Sequence, residues 1–300
     1  MNKIYTLTLS PVLDVHYALD RFTPGTENFA GSQLKIAAGK GVNVSAALLR
    51  HGITSPAYLL LGKRGANEYL ALARSQGLEL HALEVDSQVR EYVSVNYPGG
   101  ETRICYKNFS ACDADVLAIG ELLGQSLKPG DFLAVSGGLP AGVSANAVTR
   151  LSRTFRGSGV FAALDCAALG PEDLTLASPW LIKPNRAEAL DLLRSAGINT
   201  DGMKPEAIAA ALLSYSDNVL LSLGGDGALF ADRISGKIIS MPAVSLPRCY
   251  STVGAGDNLL AGFLHFVLTE CGAGFDPVLH AGGALSRALQ FAAEQCGTPR

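Results

Sequence analysis

The sequence lacks the features that mark membrane proteins and nucleic-acid-binding proteins. It contains no run of about 18 uncharged apolar residues, so no transmembrane helix is predicted. Its 24 Lys and Arg residues are outnumbered by 27 Asp and Glu residues, which gives a net charge of -3 and leaves no excess of positive charge for a polyanion. We therefore expect neither a nucleic acid nor a membrane as partner, and any bound anion must be held by a local site.

Cysteine is scarce and follows no disulfide or metal-binding pattern. The six cysteines include no Cys-x-x-Cys pair, and their wide spacing fits no zinc template. The first residues, "MNKIYTLTLSPVLD", alternate like a strand and lack the long apolar segment and the cleavage site of a signal peptide. Scattered thiols without such a segment indicate a protein of the reducing cytoplasm.

Repeats and low-complexity linkers are also missing, and the pattern that remains is that of an apolar globular chain. Hydrophobic residues make up 48% of the 300 residues and charged residues 17%, which allows a large buried core. Length alone would permit two domains, but we expect one domain over residues 1–300, since strand-like and helix-like runs alternate as in a mainly parallel α/β fold. Strands are predicted at residues 3–9, 57–62, 131–137, 160–165, 179–185 and within 218–230, and helices at residues 40–52, 67–77, 144–159, 186–197, 205–216, 257–272 and 278–297.

Two regions break this alternation. Residues 11–36 hold aromatic and polar residues around Pro24-Gly25, and residues 88–110 alternate like a hairpin around Pro98-Gly99-Gly100. We expect the two segments to form a small antiparallel sheet outside the main one.

The stretch "STVGAGDNLLAGF", residues 251–263, places three small residues and one acid at the start of a predicted helix. Glycine lets backbone N–H groups face into a turn, and a helix N-terminus attracts anions. Two interpretations stay open. Asp257 is a plain N-terminal cap, or it is the base beside an anion hole in which the N–H groups of Gly254, Ala255 and Gly256 receive a transferring phosphoryl group.

Other glycine turns and polar residues follow predicted strands. "AAGKGVNVSAAL" is not a P-loop, but Gly39 and Lys40 would let a ligand approach and Asn43 could bond its hydroxyl groups. "LIKPNRAEAL" carries an amide and an acid, Asn185 and Glu188, three residues apart, a spacing that suits either a capping box or the phosphates and waters around magnesium. "LSLGGDGAL" is either a hairpin turn or a backbone cradle for a nucleotide. Because ligands of open α/β sheets bind where parallel strands end, these turns together indicate one site at one sheet edge.

Taken in order, six stretches resemble the motifs of the ribokinase-like sugar kinases: "TLSPVLD", "AGKGVNV", "SGGLP", "KPNRAE", "SLGGDGAL" and "TVGAGD". The branch that contains 1-phosphofructokinase, tagatose-6-phosphate kinase and the minor bacterial 6-phosphofructokinase is the most similar, and the resemblance covers nearly the whole chain. It implies a three-layer α/β/α sandwich with a small β-sheet lid, a dimer formed through the lid, and magnesium-dependent transfer of a phosphoryl group from ATP to a hexose phosphate.

The resemblance also implies a role for individual residues. Asp257 is similar to the catalytic base, and Gly254, Ala255 and Gly256 to the anion hole. The residues expected to bind the sugar substrate are Asp14, Gly39, Lys40, Asn43, Arg90 and Arg103. The residues expected to bind ATP are Lys183, Asn185, Ser222, Gly225, Gly227 and Gly282, and Glu188 is expected to hold magnesium through water.

The end of the site that holds the sugar departs from the family pattern. Ser10 stands where the family has Asn, Ala38 and Gly138 replace a Gly and a Ser, Val89 replaces a Thr, and Phe29 replaces a basic residue. A second phosphate on the sugar needs cations, and Lys40, Arg90, Arg103 and Lys107 remain for it.

Each of these cations also suits a solvated surface, and two alternatives to a hexose phosphate kinase stay open. One is a kinase of an unphosphorylated sugar or nucleoside-like alcohol, and the other is a non-catalytic sensor that keeps the fold.

Overall fold

The computed structural model describes residues 2–106 and 108–298 of the chain, so Lys107 lies outside the described residues. In chain order the strands are β1 (Ile4–Thr8), β2 (Val12–Ala18), β3 (Ser32–Ala38), β4 (Ala57–Arg64), β5 (Leu80–Gln88), β6 (Arg90–Tyr97), β7 (Gly100–Cys105), β8 (Phe132–Ser136), β9 (Phe161–Asp165), β10 (Leu181–Ile182), β11 (Asn218–Ser222), β12 (Ala228–Asp232) and β13 (Ile238–Met241). The α-helices are α1 (Lys40–Arg50), α2 (Ala66–Ser75), α3 (Asp113–Gly124), α4 (Ala145–Gly157), α5 (Pro171–Ala177), α6 (Arg186–Ser195), α7 (Pro205–Leu212), α8 (Ala255–Phe266) and α9 (Pro277–Gly297). In these described residues, no helix combines the length and the hydropathy of a membrane-spanning segment.

The main sheet has the strand order β13-β12-β11-β10-β9-β8-β1-β4-β5. Seven of its strands, β11, β10, β9, β8, β1, β4 and β5, run parallel to one another. Strands β12 and β13 are added in antiparallel fashion at one edge. The parallel sheet with intervening helices confirms the predicted α/β fold.

Helices cover both faces of this sheet because its central strands are apolar on both sides. In β8, Leu133 and Val135 pack under α3 to α7, whereas Phe132 and Ala134 pack under α1, α8 and α9. Successive side chains of a strand point to opposite faces, so a continuous apolar run demands two covering layers. Full burial of each Leu or Val is worth about 1.5–3 kcal/mol. The result is three layers, with the carboxyl ends of the parallel strands at one edge.

A second sheet of four strands, in the order β3-β2-β6-β7, stands beyond that edge. It is built from the two segments that break the sequence pattern, but its central pair, β2 and β6, is parallel rather than antiparallel. The expectation of an antiparallel sheet is therefore wrong for this pair. The reason is that β2 continues β1 and β6 continues β5, and β1 and β5 point the same way in the main sheet.

Candidate active site

A cavity of about 850 Å³ lies between the carboxyl edge of the main sheet and the second sheet. The predicted site residues that line it are Asp14, Gly39, Lys40, Asn43, Arg90, Arg103, Lys183, Asn185, Glu188, Ser222, Gly254, Gly256 and Asp257. The substituted positions Ser10, Ala38 and Gly138 line it as well, whereas Phe29 is 83% exposed and is not among its lining residues. Segments far apart in the sequence thus converge on one space.

A second cavity of about 670 Å³ adjoins the first and shares Asn185, Ser222 and Gly256 with it. The predicted residues Gly225, Gly227 and Ala255 line it, together with small and apolar side chains of α9 and of residues 243–246. Gly282 lines neither cavity; it lies in α9 near Met241. Its predicted contact with a nucleobase stays a prediction.

The turn between β11 and β12 is a hairpin that also forms a wall of the second cavity. Leu223 donates its N–H to the carbonyl of Gly227 at 2.9 Å, and β11 and β12 pair in antiparallel register. Gly227 has a φ of 105°, and a Cβ atom there would lie 2.1 Å from the carbonyl oxygen of Met241. Only glycine allows this close approach. Because the turn closes a hairpin and also lines a cavity, the two interpretations, hairpin and cradle, are compatible.

Asp257 lies in the first turn of α8 and is buried, with only 6% of the residue exposed to solvent. The N-cap of α8 is Gly254, and no side chain caps this helix, so the interpretation of Asp257 as an N-cap is wrong. Its carboxylate accepts a hydrogen bond from Nδ2 of Asn43 at 2.7 Å instead. An acid that does not satisfy its own helix terminus is available to another group.

Burial and, after it, the nearby charge of Asp165 raise the pKa of Asp257 to about 6. The hydrogen bond from Asn43 and the charges of Lys183 and Lys40 act in the opposite direction. A carboxylate with a pKa near 6 is a stronger base than an ordinary aspartate and is still ionised at pH 7.

A buried carboxylate that the sequence reasoning missed, Asp165, joins two lysines of the site. Its Oδ1 lies 3.0 Å from Nζ of Lys40 and its Oδ2 lies 3.3 Å from Nζ of Lys183. Burial lowers the pKa of Lys40, but the Asp165 carboxylate more than compensates, so the pKa lies above its usual value. The only sequence signal for Asp165 is its position at the carboxyl end of β9, where ligands of α/β sheets bind.

Lys183 connects this cluster to the start of α8. Its side chain is 5% exposed, and its Nζ lies 3.3 Å from the point where a Cβ atom of Gly256 would be. A larger residue at position 256 would therefore press on the ammonium group. The site thus combines two fixed positive charges with the positive end of a helix, which is an arrangement that attracts a phosphoryl group.

Asn185 and Glu188 form a reciprocal capping box at the start of α6. Asn185 Oδ1 accepts from the N–H of Glu188 at 2.9 Å, and Glu188 Oε2 accepts from the N–H of Asn185 at 2.9 Å. The capping interpretation is confirmed, yet both residues line the main cavity. In residues 2–106 and 108–298, no group of three or more His, Cys, Asp or Glu side chains is placed to hold a metal ion by itself.

The far end of the cavity is formed by one face of the second sheet. Asp14 of β2 is paired with Tyr92 of β6, and two guanidinium groups lie over the ring of Tyr92, with Arg90 at 5.1 Å and Arg103 at 5.6 Å from its centroid. Arg103 also approaches Oδ1 of Asp14 at 3.6 Å. Two cations and one acid therefore face this end of the cavity.

His16 and Tyr92 are two residues of this face that sequence reasoning missed. His16 is buried and its Nε2 lies 3.2 Å from Oδ2 of Asp14. The signal was present, since positions 14 and 16 share one face of a strand. Tyr92 accepts a hydrogen bond from Nη1 of Arg90, two residues earlier on the same face of β6, at 3.0 Å. Its second cationic neighbour, Arg103, comes from the neighbouring strand β7 and is not predictable from local sequence.

Residues 9–295 match the family described as pfkB family carbohydrate kinase. The 1-phosphofructokinase of Escherichia coli (strain K12) is 31% identical over 274 residues, which are 89% of this chain and 85% of that protein. The tagatose-6-phosphate kinase of Staphylococcus epidermidis is 25% identical over 261 residues, 86% of this chain and 83% of that protein. The fold is similar to the crystal structure of phosphofructokinase-2 from Escherichia coli in complex with potassium, with a TM-score of 0.85 and 22% identity over 100% of this chain and 94% of that one.

Proposed function

Since the chain belongs to the pfkB family of carbohydrate kinases, we propose that it transfers the γ-phosphoryl group of ATP to a hydroxyl group of a hexose phosphate in sugar catabolism. The relatives are named for fructose phosphates and for tagatose 6-phosphate, which are the ester substrates that we propose to test. The observation that supports the proposal best is the buried Asp257 carboxylate in the cavity that is lined by cations, directly after Gly256, which also lines the second cavity with its small and apolar residues.

In the proposed reaction the hydroxyl oxygen of the sugar attacks the γ-phosphorus, and the bond from that phosphorus to the β–γ bridging oxygen breaks. The hydroxyl proton goes to the carboxylate of Asp257, and ADP leaves with the electron pair of the broken bond. Asn43 orients the carboxylate through its hydrogen bond. The backbone at Gly254 and Gly256 and the ammonium of Lys183 stabilise the charge on the transferring group.

The residues present fit magnesium and a nucleotide. Magnesium in kinases is usually held by one or two carboxylates and by the phosphates of the substrate rather than by a cage of protein ligands. Glu188, whose carboxylate lines the cavity beside Asn185, fits that role through a water molecule. When bound, the metal neutralises charge on the β- and γ-phosphates. The second cavity, walled by Gly225 and Gly227, fits the nucleoside.

Arg90 and Arg103 support an acceptor that already carries a phosphate. Both face the end of the cavity that is lined by the second sheet, and guanidinium groups bind phosphate in two-pronged fashion. The experiment that tests the proposal measures ADP release with Mg-ATP across pairs of free sugars and their phosphate esters. Fructose, tagatose and their 1- and 6-phosphates form the core of the panel, with pentoses and nucleosides added. Turnover confined to the esters is expected.

A second candidate function is phosphorylation of an unphosphorylated sugar or nucleoside-like alcohol. The exposure of Phe29 outside the cavity favours it, because the family pattern has a basic residue at that position. Turnover of free sugars alone would favour this candidate. No turnover of any panel member, with ATP still bound, would favour a sensor.

We further propose that the protein is a cytoplasmic homodimer that associates through the second sheet. Large apolar side chains are exposed on this sheet and on its connecting loop: Phe29, Leu34, Ile104 and Tyr106. Removal of such side chains from water would favour association.

A further inference from the structure

A tight turn, Thr252–Ala255, leads into α8 and carries the N–H of Gly254, which is one of the groups proposed to meet the phosphoryl group. Ala255 donates its N–H to the carbonyl of Thr252 at 3.2 Å, and Gly254 has a φ of 78° and a ψ of 0°. These angles are those of the third residue of a type II turn. A type I turn has the same closing hydrogen bond but the opposite orientation of its central peptide. The closing bond alone therefore does not decide which way the peptide between Val253 and Gly254 points.

Two side-chain amides hold the carbonyl groups of this turn from behind. Gln295 of α9 donates from Nε2 to the carbonyl of Val253 at 3.2 Å. Asn258 of α8 donates from Nδ2 to the carbonyl of Gly254 at 2.9 Å. A trans peptide directs its C=O and N–H to opposite sides. Holding the Val253 carbonyl toward α9 therefore directs the N–H of Gly254 away from α9.

One guanidinium group orients both amides. The Nη2 atom of Arg50, the last residue of α1, donates to Oδ1 of Asn258 at 2.7 Å and to Oε1 of Gln295 at 3.4 Å. Arginine has donors only, so it takes the two amide oxygens and leaves the two amide nitrogens to donate to the turn. Helices α1, α8 and α9 thus meet in one network directly behind Gly254.

We propose that Arg50, Asn258 and Gln295 are positioning residues that hold the anion-binding turn in its binding conformation. The proposal rests on the proposed phosphoryl transfer at this site. Loss of the network removes the hydrogen bond from Gln295 to the carbonyl of Val253 and so favours a rotation of the central peptide that would point this carbonyl toward the incoming phosphate. A carbonyl in that place repels the charge that the N–H groups are meant to stabilise.

A neighbouring ion pair provides a matched control. Glu294 precedes Gln295 in α9 and its Oε2 lies 2.9 Å from Nε2 of His51, which follows Arg50. This pair joins the same two helices at the same level but makes no contact with the turn. Glu294→Ala therefore removes a comparable contact between α1 and α9 and leaves the proposed network in place.

The decisive variant is Gln295→Glu, which keeps the size of the side chain and can still accept from Arg50. It has no N–H to donate, so it sets a carboxylate oxygen against the carbonyl of Val253. We expect this variant to keep the thermal stability of the unaltered protein, to bind the transferring group less tightly and to have a lower kcat. Arg50→Ala tests the orienting role and should act in the same direction.

The test compares the affinity for Mg-ADP with the affinity for Mg-ADP plus tetrafluoroaluminate, an anion that resembles the transferring phosphoryl group. Gln295→Glu and Arg50→Ala should weaken binding of the fluoride complex about tenfold and change Mg-ADP binding less than about twofold. With an accepted sugar ester, kcat should fall about tenfold while both KM values stay within about twofold. Glu294→Ala should match the unaltered protein in every measurement.

Binding of the fluoride complex by Gln295→Glu as tight as by Glu294→Ala would overturn the proposal. So would a failure of the unaltered protein to bind the complex, because the turn would then hold no anion. If Arg50→Ala does not fold, Gln295→Glu decides alone. Because the binding comparison needs no sugar, it remains informative if every ester in the panel fails as a substrate, which would refute the proposed function separately.

Discussion

At the scale of single residues, Asp257 is useful to the proposed reaction because its environment opposes its charge. Burial and Asp165 raise its pKa from 3.8 to about 6, so folding takes up a proton between these two pH values. The free energy of unfolding therefore falls as the pH rises through that window, and above it the ionised carboxylate is a net cost to the fold. At about 1.4 kcal/mol per pKa unit, the cost is about 1–3 kcal/mol.

We therefore expect Asp257→Asn to make the protein more stable and inactive. Removing the charge should raise the free energy of unfolding at pH 7.5 by about 1–3 kcal/mol, and removing the base should lower kcat by orders of magnitude. Denaturant unfolding and ADP release measure the two effects. The control is Asp131→Asn: Asp131 is also buried, but its two oxygens accept the N–H groups of Lys3 and Lys128 at 2.8 Å. That variant should be less stable, and a similar loss for Asp257→Asn would contradict the expectation.

Asp165 gives a prediction for the dependence of activity on pH. In the unaltered protein kcat/KM should fall below about pH 6, where Asp257 becomes protonated. Asp165→Asn removes a negative charge that raises the pKa of Asp257, so the acid limb should move to lower pH. The plateau should also drop, because Lys40 and Lys183 lose the carboxylate that holds them.

Profiles of kcat/KM from about pH 5 to 9 measure both effects, with Asp86→Asn, which removes an exposed partner of Arg64, as the unchanged control. An acid limb that stays in place would show that a group other than Asp257 titrates.

At the scale of helices and strands, the elements that the sequence predicts are those whose pattern is local. Strand β4 opens with a buried run of six residues before its two exposed cations, β8 is buried throughout, and α4 carries a serine cap whose Oγ accepts from Ala147. The missed elements depend on their neighbours. Strand β5 is a half-exposed edge with acidic residues in it. Helix α3 contains Gly120, which interrupts a helical pattern but lets Leu151 of α4 approach to 2.3 Å of where a Cβ would be.

In the candidate site, too, the features that the sequence predicts are local and the missed features depend on distant residues. The glycine turns and their flanking residues are contiguous motifs, so sequence alone brought Lys183, Asn43 and Asp257 into one hypothesis. The link through Asp165 joins residues that are 125 positions apart, and the parallel pairing of β2 with β6 depends on the order of strands in the other sheet. Neither can be deduced from a window of local sequence.

The face that β2, β6 and β7 turn toward the cavity should determine the choice of acceptor. Arg103→Ala removes one of the two cations beside Tyr92 and should raise KM for an accepted sugar phosphate about tenfold or more, with little change in KM for ATP. Arg64→Ala, an exposed cation at the end of β4, is the matched control. Steady-state kinetics against both substrates provide the measurement. An unchanged KM for the ester would show that Arg103 does not bind the phosphate of the substrate and only contacts Asp14 and Tyr92 within the protein.

At the scale of the whole molecule, the site exists only where two sheets meet. The main sheet supplies Lys183 and the start of α8, and the second sheet supplies Asp14, Arg90 and Arg103. Movement of the second sheet relative to the main sheet would therefore change the sugar end without disturbing the phosphoryl end. Association through the second sheet would restrict that movement, so the oligomeric state and substrate affinity should be linked.

This link gives a prediction that two single substitutions can test. Ile104 of β7 is 61% exposed and Phe29, in the loop between β2 and β3, is 83% exposed. Phe29→Glu and Ile104→Glu place charges in the proposed contact and should convert a dimer to a monomer, because an unpaired charge buried in an interface costs several kcal/mol. Ile234→Glu, at an 88% exposed position in the turn between β12 and the edge strand β13, is the control.

Sedimentation velocity measures the mass, and steady-state kinetics at the same protein concentration measure KM for the sugar ester. Relative to the unaltered protein, we expect KM for the sugar ester to rise in the monomeric variants and to rise more than KM for ATP, because the mobile part is the proposed sugar end. A monomeric unaltered protein would contradict the proposed association, and monomeric variants with unchanged KM values would show that the second sheet holds its place without a partner.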